Sequence, residues 1–316
     1  MCGLKKMAFK LTPRKERMVQ EFFERHLPGQ QFTGIRKTPY EKYLGIPARE
    51  ATGYAQAVFS NIFNEDPNIL ESQFEREMKT RIAALHELVT RTRRTYGTRY
   101  PNLSTKAATH AASYLTSLSA VPTLAQTTFT EKLHSSRLFF RFLPFWLNQP
   151  THNIGGYGVH FKHWSHVETP LSLEITNPQG ISIATVGLYV THTKGGAVIR
   201  INNLQGKNEK ERIDLQGLPT TKAKRIRAAE YSRLAKALGE DWRTFYVRKI
   251  IETVQRRGFQ VEGEMPHRFY ASDRRGQLQP TVSEPEYQRQ KKVYTTAFQN
   301  AGMKEVKGVK IWRHEA

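Results

Sequence analysis

The chain has a single cysteine, Cys2, in 316 residues. A lone thiol closes no intramolecular disulfide, which excludes a disulfide scaffold and fits a reducing cytoplasm. No apolar run approaches the roughly 20 residues that a membrane helix needs. The amino-terminal MCGLKKMAFKLTPRKER lacks the apolar core of a secretory signal. The expectation is a soluble cytoplasmic protein with no transmembrane segment, peripheral at most on a membrane surface. Acidic residues are scarce too: 28 Asp+Glu stand against 49 Lys+Arg, a formal charge of +21. That surplus favours polyanionic partners, namely nucleic acid, an anionic membrane surface or phosphorylated small molecules. Internal repeats and low-complexity stretches are absent.

What is present is a run of strand pattern in the middle of the chain. Leu171, Leu173 and Ile175 alternate with polar residues before Asn177-Pro178-Gln179-Gly180 turns the chain. Ile181 to Val190 is β-branched and apolar, Lys194-Gly195-Gly196 turns it again, and Ala197 to Ile201 makes a third strand. The stretch Asn202 to Asn208 then reads as a loop. Before this region the pattern is helical. Thr12-Pro13 opens a helix that carries Met18, Val19, Phe22, Phe23 and Leu27 on one face. Asp66-Pro67 opens another, with Leu70, Phe74, Met78, Ile82, Leu85 and Val89 at spacings of four and three. Ser104 to Ala120 and the segment after Thr130 also read as helices. The dense FFRFLPFW run, which ends the latter at Pro144, reads as buried core. After the strands come helices from Thr220 to Leu238 and from Asp241 to Arg257, a strand at Val261 to Met265 and a helix from Glu284 to Asn300. Two short strands around Gly308 end the chain. The reading is α/β (α+β): a mainly helical domain over 1–149, then a mixed sheet with flanking helices over 150–316.

Four groups of residues carry chemistry. Lys222, Lys224, Arg225 and Arg227, with Arg233 and Lys236 beyond them, put cations on a predicted helix, as backbone-phosphate binding requires. Arg91, Arg93 and Arg94 cluster at the end of the Leu70–Val89 helix. They serve either nucleic acid or the helix dipole. Gln205, Gly206 and Lys207 follow a strand and precede a helix, where backbone N–H groups can cradle a phosphate. His152, His160, His163 and His166 crowd fifteen positions, but their spacing matches no closed zinc motif, so no metal is expected. Met1-Cys2-Gly3-Leu4 resembles the start of amidotransferases with an amino-terminal cysteine nucleophile, without their further motifs.

From Leu171 to Trp312 the order of elements resembles the GCN5-related N-acetyltransferase fold. That resemblance implies an acyl-coenzyme A cofactor with its pyrophosphate at Gln205, Gly206 and Lys207. Glu174 or His192 would be a base, and Tyr294 is a further catalytic candidate. Phe298 stands where that fold's tyrosine is expected, and Tyr294 lies one turn earlier. Leu204-Gln205-Gly206, Phe269-Tyr270 and Tyr294 with Phe298 are similar to positions of the bacterial VirK/YbjX family, a match that implies bacterial origin more than any activity. Three functional expectations follow. The first is a nucleic-acid binder acting through the basic helix and the arginines at 91 to 94. The second is an acyltransferase, and the third a non-catalytic virulence or defence interaction protein.

Overall fold

The computed structural model describes residues 12–27, 46–120, 127–166, 169–193, 196–207, 212–266, 270–272, 278–280, 283–306 and 311–314. Met1-Cys2-Gly3-Leu4, the Lys194-Gly195 turn, Asn208 and Phe269 lie outside them. The fold is mixed α/β, with eight α-helices and an eight-stranded mixed sheet among the described residues. None of those helices is long and apolar enough to cross a membrane. The chain divides into two compact units, Met1–Arg137 and Leu138–Ala316.

The first unit is helical. Helix α1 (Pro13–His26) begins as its capping signals require: the Thr12 side chain accepts from Lys15 N–H, and Pro13 occupies the first turn. Met18 and Phe22 are its buried residues, and Leu27 is buried just past its end. Helix α2 (Ala48–Glu65) has no counterpart in the sequence reading, although Ala51, Tyr54, Ala55 and Val58 are fully buried along it. Its existence moves a boundary. Asp66-Pro67 closes α2 rather than opening the next helix, because the Asp66 carboxylate accepts from Asn68 N–H at 3.0 Å in a tight turn. Helix α3 (Glu71–Tyr96) starts four residues later and buries Phe74, Met78, Ile82, Leu85 and Val89. Helix α4 (Pro101–Ala120) follows, and helix α5 (Phe129–Leu147) runs on through Pro144 instead of stopping before it.

The second unit contains the end of α5 and the sheet. Strands β1 (His152–Ile154), β2 (Tyr157–His166), β3 (Thr169–Thr176), β4 (Ser182–Thr193) and β5 (Gly196–Gly206) form an antiparallel meander. Helices α6 (Thr220–Leu238) and α7 (Trp242–Gln255) then carry the chain over to β6 (Gln260–Glu264), which pairs parallel with β5. A separate hairpin, β7 (Tyr270–Ser272) and β8 (Leu278–Pro280), precedes helix α8 (Glu284–Asn300). Strands β9 (Lys304–Val306) and β10 (Ile311–Arg313) complete the main sheet in the order β1-β2-β3-β4-β5-β6-β10-β9. The basis of α8 is plain in the sequence: the Ser283 side chain accepts from Glu286 N–H, and Pro285 and two glutamates fill the first turn.

Register gives the sheet two unlike faces, since cross-strand partners project to the same side. One is apolar. Leu188, Ile201, Gly263 and Trp312 form a row across β4, β5, β6 and β10, and Phe161, Leu173 and Val186 form another across β2, β3 and β4. Helices seat aromatic rings here. Trp146 of α5 meets Phe161 edge-on at 4.8 Å, and Phe298 of α8 covers Gly263, where an added Cβ would lie 2.5 Å from its ring. The FFRFLPFW run is therefore core, with Phe139, Phe140, Phe142, Leu143 and Trp146 all buried. The other face is polar: Glu174 and Thr185 lie on it with Tyr189, Arg200 and Glu262, whereas His192 falls on the face of Leu188.

The helical unit also buries a lysine. Lys132 of α5 is 1% exposed and donates to Asn61 Oδ1 at 2.6 Å. Burial pushes its ammonium down to about 8 from an ordinary 10.5. Between these values the unfolded chain holds a proton that the folded chain has shed, so stability rises with pH across the window. Denaturant titrations at pH 8 and 10.5 should show wild type gaining stability relative to Lys132→Met. Identical pH dependence in the two proteins would refute this assignment.

Candidate functional site

Helix α6 is held by a buried polar anchor. Glu230, on its inner side, receives the Arg212 guanidinium and, at 3.1 Å, the Asn177 amide from the end of β3. Arg212 is itself 1% exposed and also pairs with Asp214. Ala223 and Leu234 are buried beside Glu230, and Tyr231 donates to Ile183 carbonyl at 2.7 Å. These contacts fix the roll of the helix. Lys222, Lys224, Arg225, Arg233 and Lys236 consequently face solvent, and none of them has a carboxylate partner among the described residues. Arg227 is half-buried and has an interaction of its own.

The arginines of α3 sit differently. Arg93 is an internal ion pair: its guanidinium meets Glu50 at 2.5 and 3.3 Å, and the Tyr54 hydroxyl donates to the same carboxylate. That bond and the nearby charge raise Arg93 above its ordinary value, against the opposing effect of burial. Arg91 pairs with Glu87 four residues earlier, and Arg94 is exposed. Arg91, Arg93 and Arg94 belong to the first unit, whereas the α6 cations belong to the second.

The expected loop at Gln205, Gly206 and Lys207 is strand instead. β5 runs to Gly206, with Gln205 opposite Thr185 and Gly206 opposite Ala184, and Lys207 N–H donates to Ile183 carbonyl at 2.8 Å. A bulge, with Asn202 as the extra residue between Ile201 and Asn203, lets the strand continue where the pattern suggested an end. Pairing with β6 covers only Val198 to Ile201. Past that point β5 has β4 on one side. On the other, Leu204 N–H donates to the Tyr294 hydroxyl oxygen at 2.8 Å. Tyr294 is buried on α8, and burial pushes its phenol up to about 12, partly offset by the Leu204 N–H.

The two candidate bases are placed far apart. Glu174 lies in one cross-strand row with His160, Thr185 and Gln205. Burial raises its carboxyl, yet the hydrogen bond from Lys162 and the Lys162 and Lys207 charges hold it below the usual carboxylate range. It is thereby a weaker base than an ordinary glutamate. His192 pairs with Ala197, eight residues along β5 from Gln205. At about 3.3 Å per residue that is roughly 26 Å away, so His192 cannot act on a group at Gln205. His160 is engaged by hydroxyls, with Nε2 3.0 Å from Thr176 Oγ1 and Nδ1 3.4 Å from Thr151 Oγ1. No group of three metal-ligating side chains comes together among the described residues.

The sequence reading missed the largest polar constellation. Tyr189, Arg200, Glu262 and Arg313 form one row across β4, β5, β6 and β10. Arg200 reaches Glu262 at 3.0 Å and Glu264 at 3.1 Å, Tyr189 donates to Glu264 at 2.7 Å, and Arg313 reaches Glu262 at 2.6 Å. Both glutamates are 1% exposed. Their alternate-residue spacing was the available signal, since carboxylates at Glu262 and Glu264 of one strand must share a face.

No family model, curated protein or solved structure matches the chain. The residues themselves therefore carry the functional argument.

Removing Arg200 tests the constellation. Arg200→Met leaves Glu262 and Glu264 buried without their shared cation and should cost about 3 kcal/mol of unfolding free energy. Arg91→Met, at an exposed pair, should stay within about 0.5 kcal/mol. Equal effects in urea titrations would mean that the buried network contributes nothing special.

Proposed function

We propose that this protein binds a polyanion, nucleic acid first among them, through the outward face of α6. The observation that carries this reading is a contrast in pairing. Arg91 and Arg93 spend their charge on Glu87 and Glu50, whereas Lys222, Lys224, Arg225, Arg233 and Lys236 stand exposed with no carboxylate partner among the described residues. Unpaired cations on a rigid element cost self-repulsion unless a partner neutralises them. They are also the groups that displace counterions from a phosphate backbone. The Glu230 anchor supports the same reading, because it keeps these side chains facing outward whatever their mutual repulsion.

The measurement is binding of labelled duplex DNA, single-stranded DNA and structured RNA at about 50 and 200 mM salt. Replacing Lys222, Lys224 and Arg225 with Ala should weaken binding at low salt and flatten the slope of log affinity against log salt by about 3, one counterion step per phosphate lost. A wild-type protein that ignores all three polymers at low salt would exclude the reading.

A second reading, acyl-coenzyme A-dependent transfer, has one specific observation in its favour. β5 and β6 are the parallel pair of the sheet, and ligands of such sheets sit at the carboxyl ends of the strands. There, past the four paired positions, the Tyr294 hydroxyl takes the Leu204 N–H that a neighbouring strand would otherwise take. The strand order β5-β6-β10-β9 is the finer feature that supports an acetyltransferase-like arrangement. On this reading acetyl-coenzyme A binds stoichiometrically with weak salt dependence, and Tyr294→Phe lowers acetyl transfer to an amine while leaving binding intact. Calorimetry that detects no acetyl-coenzyme A binding would remove it.

A further inference from the structure

The α6 cations have a pattern that a merely basic surface would not need. At 100° per residue, Lys222, Arg225, Arg233 and Lys236 fall within an arc of about 80°, and Ala229 lies at its centre. In sequence they stand seven and four residues before Ala229, and four and seven after it. All five positions are exposed, and the helix is continuous through them. The stripe is therefore two cation pairs separated by a smooth gap with a methyl group in its middle. At 1.5 Å per residue, Arg225 and Arg233 are about 12 Å apart along the axis, and the centres of the two pairs about 16 Å apart.

That gap matches a dimension of duplex DNA, whose major groove is about 12 Å wide. Taking the polyanion reading as the base, we propose that α6 bridges the major groove of B-form DNA. Lys222 and Arg225 contact one phosphate rail, Arg233 and Lys236 contact the other, and Ala229 sits over the opening. Phosphate contacts of this kind position a protein without reading bases, so the binding should be indifferent to sequence. A-form RNA offers a deep, narrow major groove instead, and a single strand has only one rail. Neither offers a major groove of this width, since the wide groove of A-form RNA is the shallow minor one.

The test relocates a charge without changing the total. In Arg225→Ala/Ala229→Arg the same number of cations stays on the same helix face, but one rail loses a contact and the gap is filled. Ala229 is exposed, and arginine is a good helix former, so folding should be unchanged by circular dichroism. Fluorescence anisotropy with a duplex DNA, the matching duplex RNA and one DNA strand would compare this variant with wild type. We expect wild type to prefer duplex DNA, and the relocated variant to lose roughly tenfold on duplex DNA at low salt with little change on the other two. Equal affinity of variant and wild type for duplex DNA would overturn the bridging geometry while leaving polyanion binding in place. If wild type binds none of the three probes, the underlying reading fails instead.

Discussion

Arg200 is the residue on which the second unit turns. β5 and β6 pair over four residues, in the parallel geometry that is slightly less stable per residue than the antiparallel one. Arg200 adds a side-chain clamp by reaching two carboxylates of β6 at once, and Tyr189 and Arg313 extend it to β4 and β10. Charges this deeply buried are costly unless paired, and two arginines against two glutamates leave no net charge behind. The junction lies inside the sheet, with β4 beyond one strand and β10 beyond the other, so the crossover helices α6 and α7, which start from one of these strands and end at the other, inherit their position from it.

The apolar periodicities made most of the helices legible. α1, α6, α7 and α8 lie within a residue or two of their capping and stop signals, because Thr12, Asp241, Ser283 and Gly239 do locally what those residue types do in general. The failures have identifiable causes. α2 is illegible as a stripe because Ala57 to Phe63 are buried all the way round the helix, which leaves no amphipathic pattern. In β2 the histidines obscure the pattern, although Val159 and Phe161 alternate with Gly158, His160 and Lys162 as a strand requires. At Asn202 polar residues suggested a loop, and a bulge let the strand carry on through them.

Side-chain partners were the least legible feature. Nothing in the spacing of Arg91, Arg93 and Arg94 distinguishes them from Lys222, Lys224 and Arg225, yet Glu50 lies far from Arg93 in sequence and neutralises it in the fold. The same limit hid the link between Arg212 and Glu230, which requires the chain to turn back on itself before α6 begins. Contacts across a fold depend on topology, and composition carries no record of them.

The two functional readings share one structural cause. On the second reading the ligand sits past the carboxyl end of β5, the strand from which the crossover through α6 and α7 leaves. Helix α6 also carries Lys222, Lys224, Arg225, Arg233 and Lys236, exposed and without a carboxylate partner among the described residues. The arrangement of the charges separates the two cases. A cofactor's diphosphate needs cations gathered near the first turn, as Lys222, Lys224 and Arg225 are. It has no use for Arg233 and Lys236, which lie about two to four turns further along, in the same arc as Lys222 and Arg225. Their placement favours a ligand at least as long as the helix, and that requirement suits a nucleic-acid backbone better than a small molecule.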